Sequence, residues 1–298
     1  MTISDQIGVQ MTAALTELLA LLELEPIEEN LFRGQSQDLG FGALFGGQVL
    51  GQALSAASRT VSIERGAHSL HAYFLRPGDP ARPIVYQVER IRDGKSFTTR
   101  RVVAIQKGKP ICFVSASFQA PERGFEHQAG SPEVPPPDDL TSELDMVRAV
   151  AERIPEPLRT KLLCEKPIEV RPVNPMNPFA PVAREAVSHH WFRATGALPD
   201  DPAVHKYLLA YASDFRLVGT SLHPHARTYW DPSLQVTSID HAMWFHRDVR
   251  LDEWLLYAMD SPSACCGRGL SRGGIYSADG VLVASVAQEG LIRQREGA

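Results

Sequence analysis

No two of the four cysteines form a C-x-x-C pair; they are Cys112, Cys164 and the adjacent Cys265 and Cys266. That spacing excludes a zinc-finger framework, and reduced thiols are the expected state. A basic excess is also missing. Lys and Arg total 30 against 35 Asp and Glu, for a net charge of −5, whereas a nucleic-acid binder needs a basic surface. No apolar run is long enough for a membrane span. The opening stretch MTISDQIGVQMTAALTELLALLELE lacks a basic n-region and is interrupted by Glu17 and Glu23. An amphipathic helix is expected there, not a leader. The closing QREGA carries no address motif. A cytoplasmic protein without membrane insertion is expected. The G-x-S-x-G elbow of many serine hydrolases is absent as well.

What is present is an ordinary globular composition, 44% hydrophobic and 22% charged over 298 residues. At about 100–200 residues per domain, that length suits two domains or one large one. A strand-like NLFRGQ is followed by FGALFGGQVLGQALSAASRTV, a helical pattern rich in Gly and Ala. Small residues such as Gly47 and Gly51 cost helix propensity and predict close packing of that helix on a sheet. HSLHAYFLR, PIVYQVERI, KSFTTRRVVAIQ and PICFVSASFQ read as a meander of strands, with hairpin turns at RDGK and KGK. SPEVPPPDD cannot continue a sheet and predicts a linker. A helical stretch over 140–164 follows, with Ser142 as a candidate N-cap.

The order then repeats. PIEVRPV and SHHWFRA read as strands, DPAVHKYLLAYASDFRLVGTSL as a helix, and QVTSIDHAMWFHR, EWLLYAMDSP, CGRGLSRGGIYS and VLVASVAQEGLIR as strands. His71-Ala72 matches His241-Ala242, about 170 residues later. The pattern implies an α+β chain in which one module, a long helix against a curved antiparallel sheet, occurs twice. The expected limits are 1–120 for the first module, 121–164 for a Pro-rich linker with a helical segment, and 165–298 for the second.

Three polar residues stand out within apolar patterns. Val204, Leu208, Tyr211, Phe215 and Val218 form the stripe of a helix predicted over 204–218, and Asp214 sits at its margin. Asp is a poor mid-helix residue. It is either a solvated edge residue or a half-buried carboxylate whose raised pKa suits a general base. Gln288 shares a strand face with Leu282, Ala284 and Val286, so it must find buried partners or cost stability. In TSIDHAMWFHR, alternation sets Ser238, Asp240, Ala242, Trp244 and His246 on one face and Ile239, His241, Met243, Phe245 and Arg247 on the other. Asp240 and His241 then point apart, and His246 lies about 20 Å beyond Asp240 at roughly 3.3 Å per residue, so no metal site is expected. Both histidines read as hydrogen-bonded strand residues near a sheet end. A Ser-His-Asp triad is weak here, and Ser238 reads as a hydrogen-bonding group.

The stretches FGGQVLGQAL, HSLHAYFLRPGDPARPIVYQVERIRDGKSFTTRRV, GKPICFVSASFQAPERGFEHQ, YASDF, SIDHAMWFHR, EWLLY and DGVLVASVAQEGLIR closely resemble acyl-CoA thioesterase II. That is a family of double hot dog thioesterases found in bacteria, with relatives in peroxisomes. The resemblance implies hydrolysis of a fatty acyl-CoA without a cofactor, and a homo-oligomer. It carries the catalytic carboxylate in YASDF to Asp214, the hydroxyl before IDH to Ser238, and the glutamine of QEG to Gln288. Thr237 is a neighbouring hydroxyl on the opposite face from Ser238. The first half has Gln48 and Gln52 but no acid at the matching helix, so one centre per chain is expected. Gly46 and Gly47, near a helix start, are candidates for approach to a phosphate or carbonyl, although packing also explains them. Arg76, Arg100, Arg101, Arg268 and Arg272 are either phosphate contacts or solvated charges. Backbone amides are the expected oxyanion donors. A hot dog enoyl-CoA hydratase and a non-catalytic acyl-CoA sensor are the competing functions; against the hydratase, no His follows Asp214 within a turn or two.

Overall fold

A computed structural model describes residues 11–40, 42–156 and 158–295. The first ten residues of the expected N-terminal helix and the last three of QREGA lie outside the described residues. α1 (Ala13–Leu22) opens at Thr12, whose hydroxyl accepts the Leu15 N–H. β1 (Glu25–Glu28) and β2 (Leu31–Gly34) lead to α2 (Gly46–Ser58). Four strands follow: β3 (Gly66–Phe74), β4 (Ile84–Asp93), β5 (Phe97–Gln106) and β6 (Lys109–Gln119). Then come α3 (Glu143–Ala149), α4 (Leu158–Leu163), β7 (Ile168–Pro172), β8 (Val187–Ala194) and α5 (Pro202–Ser213). The chain continues through β9 (Leu234–Ser238), β10 (Asp240–Phe245), β11 (Leu255–Cys265), β12 (Arg268–Ser277) and β13 (Leu282–Gln294).

The strands form one sheet in the order β1-β2-β4-β5-β6-β3-β10-β13-β12-β11-β8-β7, with β9 added to β13. All its pairings are antiparallel, and the two halves join where β3 meets β10, His241 opposite Ala72. The sheet wraps two central helices, the double hot dog arrangement expected from the resemblance. Every residue of α2 from Gly47 to Ala57 is buried, as a helix enclosed on all sides requires. Its polar residues are satisfied internally. Gln52 donates to the Leu21 and Gln35 carbonyls and accepts the Tyr86 hydroxyl, while Gln48 donates to the Gln35 carbonyl and accepts the Gln37 N–H.

The glycines of α2 do allow a close approach, but to α5 rather than to the sheet. A Cβ on Gly47 would stand 2.2 Å from the Tyr211 carbonyl, and one on Gly51 would stand 2.9 Å from the Tyr207 carbonyl. The two helices therefore pack backbone to backbone along a glycine groove.

Other expectations need correction. The helix predicted over 204–218 ends at Ser213, with Asp214 as its C-cap. Arg216 then takes a left-handed φ of 67°, which α-helix cannot continue, and a 3-10 turn runs over Val218–His225. The stretch 140–164 is broken into α3, a 3-10 turn and α4. Ser142 does cap α3 by accepting the Asp145 N–H. The KGK turn uses positive φ at Lys107 and Gly108, but Gly94 in RDGK does not need it. The His-Ala dipeptides are not structural equivalents. His71 is exposed and Ala72 buried, whereas His241 is buried and Ala242 is not.

Candidate active site

Asp214 owes its place to the end of α5. The Ser213 carbonyl accepts the Tyr257 hydroxyl from β11 at 2.9 Å, which pins the last turn to the sheet. The Asp214 side chain is only 5% exposed. Its Oδ1 accepts a 2.6 Å hydrogen bond from Gln288 Nε2 on β13. Burial raises the carboxyl above its ordinary value, and the Gln288 amide, the Gly47 N–H and the Ser238 hydroxyl offset part of that rise by favouring the charged form. Gly47 stands in the first turn of α2, where a helix presents unpaired N–H groups to an anion. Gly46 beside it is compelled to be small, since a Cβ there would lie 2.6 Å from Asp214 Oδ2 and 2.9 Å from the Phe74 ring. Gly46 is therefore small to make room for Asp214, and Gly47 to let α2 approach the Tyr211 carbonyl of α5.

Gln288 lies on the inner face with Ala284 and Val286, as alternation predicts, but Leu282, expected beside them, is cut off by a register shift and packs with Trp191, Leu256 and Tyr276. It gives its amide hydrogen to Asp214, but its Oε1 is buried without a partner. Ser271 sits opposite it on β12, and the Ser271 hydroxyl is also buried and unpaired.

Ser238 reaches the same side by a local break. β9 pairs Ser238 with Gly290, and β10 pairs Ala242 with Ala287. Four steps on one strand thus face three on the other, a one-residue bulge that reverses the inward and outward positions. Ser238 turns inward with His241, and Thr237 is exposed. Uninterrupted alternation had placed Ser238 on the face of Trp244. Asp240 closes the bulge: its Oδ1 accepts the Glu289 N–H at 2.7 Å, replacing a lost ladder bond.

His241 was under-read from sequence. It lies mid-sheet on β10 rather than near a sheet end, with Nδ1 3.8 Å from Asp214 Oδ1. Its inward parity with Met243 and Phe245 was the available signal. The absence of a histidine close to Asp214 along the chain therefore has no counterpart in space. His246, expected in the strand, lies one residue past the end of β10, exposed and bonded to Ser285.

An aromatic wall adjoins the carboxylate. Phe45 stacks on Phe215 at 4.3 Å and meets Tyr211 edge-on at 5.2 Å. Cys112 is buried nearby, and its thiol is pushed well above the usual range, first by burial and then by the Asp214 charge, so it is no thiolate nucleophile. The candidate phosphate arginines are differently placed. Arg100 is 1% exposed and binds Asp93, Thr60 and backbone carbonyls; it is a structural group. Arg101, Arg268 and Arg272 pair with Glu89, Glu289 and Asp260, and Arg76 donates to the Pro110 carbonyl. Two surface depressions, one lined by His205, Arg247 and Arg250 and the other by Asn174 and Arg184, lie away from Asp214.

Comparison with known proteins agrees along most of the chain. Residues 157–291 match the acyl-CoA thioesterase family, and residues 35–119 match the acyl-CoA thioesterase N-terminal domain. Acyl-CoA thioesterase 2 of Haemophilus influenzae is 48% identical over 286 residues, covering 96% of this chain and 100% of that protein. Human acyl-coenzyme A thioesterase 8 is 43% identical over 92% of this chain and 88% of its own length. The crystal structure of an acyl-CoA thioesterase II from Mycobacterium marinum superposes with a TM-score of 0.78, at 43% identity, over 94% of this chain and 100% of that one. A hot dog protein from Alicyclobacillus acidocaldarius, only 20% identical, shares the fold with a TM-score of 0.74 over 93% of this chain and 98% of its own. Identity of this extent over nearly the full length places the chain in the acyl-CoA thioesterase family.

Proposed function

We propose that the chain hydrolyses fatty acyl-CoA to a free fatty acid and coenzyme A, with one water held between Asp214, Ser238 and Gln288. The observation that carries this reading is the Gln288 side chain: its amide holds Asp214 at 2.6 Å while its Oε1 stays buried and unpaired. That oxygen can accept one hydrogen of a water whose other proton goes to Asp214. Buried polar groups left unpaired in this way mark a place where water or substrate belongs. The raised, desolvated carboxylate is a stronger base than one in water, and such positioned help is worth about 10²–10⁴ in rate. Ser238, turned inward by the bulge, fixes the direction of the water. The wall of Phe45, Phe74 and Phe215 gives the acyl chain an apolar bed beside the base.

No covalent intermediate is needed. In a single turnover in ¹⁸O-labelled water, one label atom should enter the fatty acid, and Asp214→Asn should abolish most turnover while substrate still binds. A trapped acyl group on Ser238 would overturn the water mechanism. The His241–Asp214 proximity favours one second reading, a hydratase. Hydration releases no thiol, so a free-thiol assay separates the two. Ligand retention without turnover would indicate a sensor. The homo-oligomer implied by the resemblance is a separate proposal, read by light scattering.

A further inference from the structure

His241 Nδ1 is buried without a hydrogen-bond partner, and Asp214 Oδ1 lies 3.8 Å away. The other ring nitrogen, Nε2, is 2.9 Å from Ser213 Oγ. Ser213 has one hydroxyl hydrogen, and it donates that hydrogen to the Ala210 carbonyl at 3.0 Å. The end of α5 explains why. A continuing helix would give the Asp214 N–H to Ala210, but that amide turns to the Ala212 carbonyl, so Ala210 needs another donor. A carbonyl can only accept. Ser213 therefore donates to Ala210 and accepts from His241, Nε2 carries the ring hydrogen, and Nδ1 is left as a bare lone pair. Burial keeps the ring neutral by pushing its protonation down to about 3.

A bare nitrogen facing a carboxylate oxygen is a mismatched pair, two acceptors with no hydrogen between them. It becomes matched when the carboxylate gains a proton. We propose that His241 is a positioning residue whose Nδ1 accepts a hydrogen bond from Asp214 once Asp214 has taken the proton of the attacking water. This rests on the reading of Asp214 as the base. The water oxygen bonds to the carbonyl carbon, and one water proton moves to Asp214, where His241 holds it. The C–S bond then breaks with its electron pair on sulfur. The proton passes from Asp214 to that thiolate, which restores the carboxylate and leaves fatty acid and coenzyme A. The 3.8 Å separation suits the unprotonated state, since such contacts tighten only when the proton arrives.

Two of the titratable groups packed against the pair carry no charge, and the carboxylate of Asp240, next to His241 in β10, is tied to the Glu289 N–H. Cys112 from β6 and Tyr257 from β11 interact with Asp214, and burial holds both in their protonated, neutral form. Tyr229 ahead of β9 is exposed at the surface, and with the Asp214 charge nearby its phenol stays protonated too. Arg216, two residues on, is engaged by Glu143. The acid limb of the rate profile therefore reports the Asp214–His241 pair.

Two substitutions separate the ring nitrogens. His241→Gln keeps a polar group for Ser213 and removes the acceptor beside Asp214; His241→Asn keeps an acceptor in the place of Nδ1. His241→Gln should lower kcat about 10- to 100-fold with KM unchanged. It should also move the acid limb of kcat/KM to lower pH, because protonated Asp214 has lost its acceptor. His241→Asn should stay within about threefold of the parent. In the unaltered protein, long-range ¹H–¹⁵N spectra should show an Nε2–H tautomer with Nδ1 bare from about pH 5 to about pH 8. Equal losses in both variants, a KM rise without movement of the acid limb, or an Nδ1–H tautomer would overturn the proposal. An inactive Asp214→Asn beside a normal His241→Gln would sink only the role of His241. A fully active Asp214→Asn would sink the base assignment itself.

Discussion

Gln288 Nε2 donates to Asp214 Oδ1 at 2.6 Å, and the bond joins residues 74 apart. It ties the last turn of α5 to the middle of β13. Anything that shifts the helix end against the sheet moves the base away from the amide that orients its water.

Asp214 must be ionised to take a proton, and burial raises its pKa. Activity should therefore fall on the acid side at a pH above the ordinary aspartate value. Stability runs the other way. A carboxyl raised on folding contributes stability below its unfolded pKa and loses that contribution as pH rises through the folded value. At neutral pH the buried charge is a net cost. Asp214→Asn should lose about 10²–10⁴ of kcat yet melt higher than the parent at pH near 7, with the gap closing in acid. Thermal melts across pH, run beside thiol-release kinetics, check both halves.

The bulge at Ile239 makes a contrast between adjacent hydroxyls. Ser238→Ala should cost about tenfold or more in kcat, while Thr237→Ala, on the exposed side, should stay within about twofold. Equal losses from both would show that β9 does not keep this register in solution.

Gly47 has no room for a methyl group: its Cβ would sit 2.2 Å from the Tyr211 carbonyl. Gly47→Ala should force α2 and α5 apart, cost about 1–3 kcal/mol, and lower kcat because the Gly47 N–H moves off Asp214. Denaturant unfolding and turnover should change together. A stable but inactive variant would mean that the amide contact matters without the helix packing.

Arg100 tests the difference between a structural cation and a ligand contact. Its guanidinium bonds Thr60, Asp93 and backbone carbonyls while nearly fully buried. Arg100→Leu should cost about 1–3 kcal/mol in unfolding free energy, because buried acceptors lose their donor, and leave KM for acyl-CoA unchanged. A raised KM at unchanged stability would return Arg100 to the phosphate contacts.

The parts of the site that sequence made legible are those with a local period. Gln288 falls on the apolar face of VLVASVAQEGL, and the structure puts it there, buried, with Ala284 and Val286. Asp214 lies beside an apolar helical stripe, and its side chain is nearly enclosed. The resemblance singled out the same residues and the same fold. Ser238 was less legible. Alternation alone turns it outward with Trp244, and only the register jump between Gly290 and Ala287 turns it in. A bulge inserts one residue and reverses the faces with no fixed signature in the pattern. His241 was legible as a hydrogen-bonded strand residue, which it is, but not as a neighbour of Asp214. Its parity pointed inward, but nothing along the chain says that the inward side of β10 meets the end of α5.

By itself, then, the sequence determined which residues face inward along each regular strand, where the turns fall, and that the chain has no C-x-x-C spacing and no net basic charge. Those are one-dimensional properties, set by periods of 2 and 3.6 and by turn residues. Tertiary structure alone decided that α5 stops at Asp214, that glycines of α2 let its first turn reach that carboxylate, and that His241, Gln288 and Ser238 surround it. Such a meeting depends on strand register and on which helix end abuts which strand, and both follow from the packing of the whole sheet around its two helices.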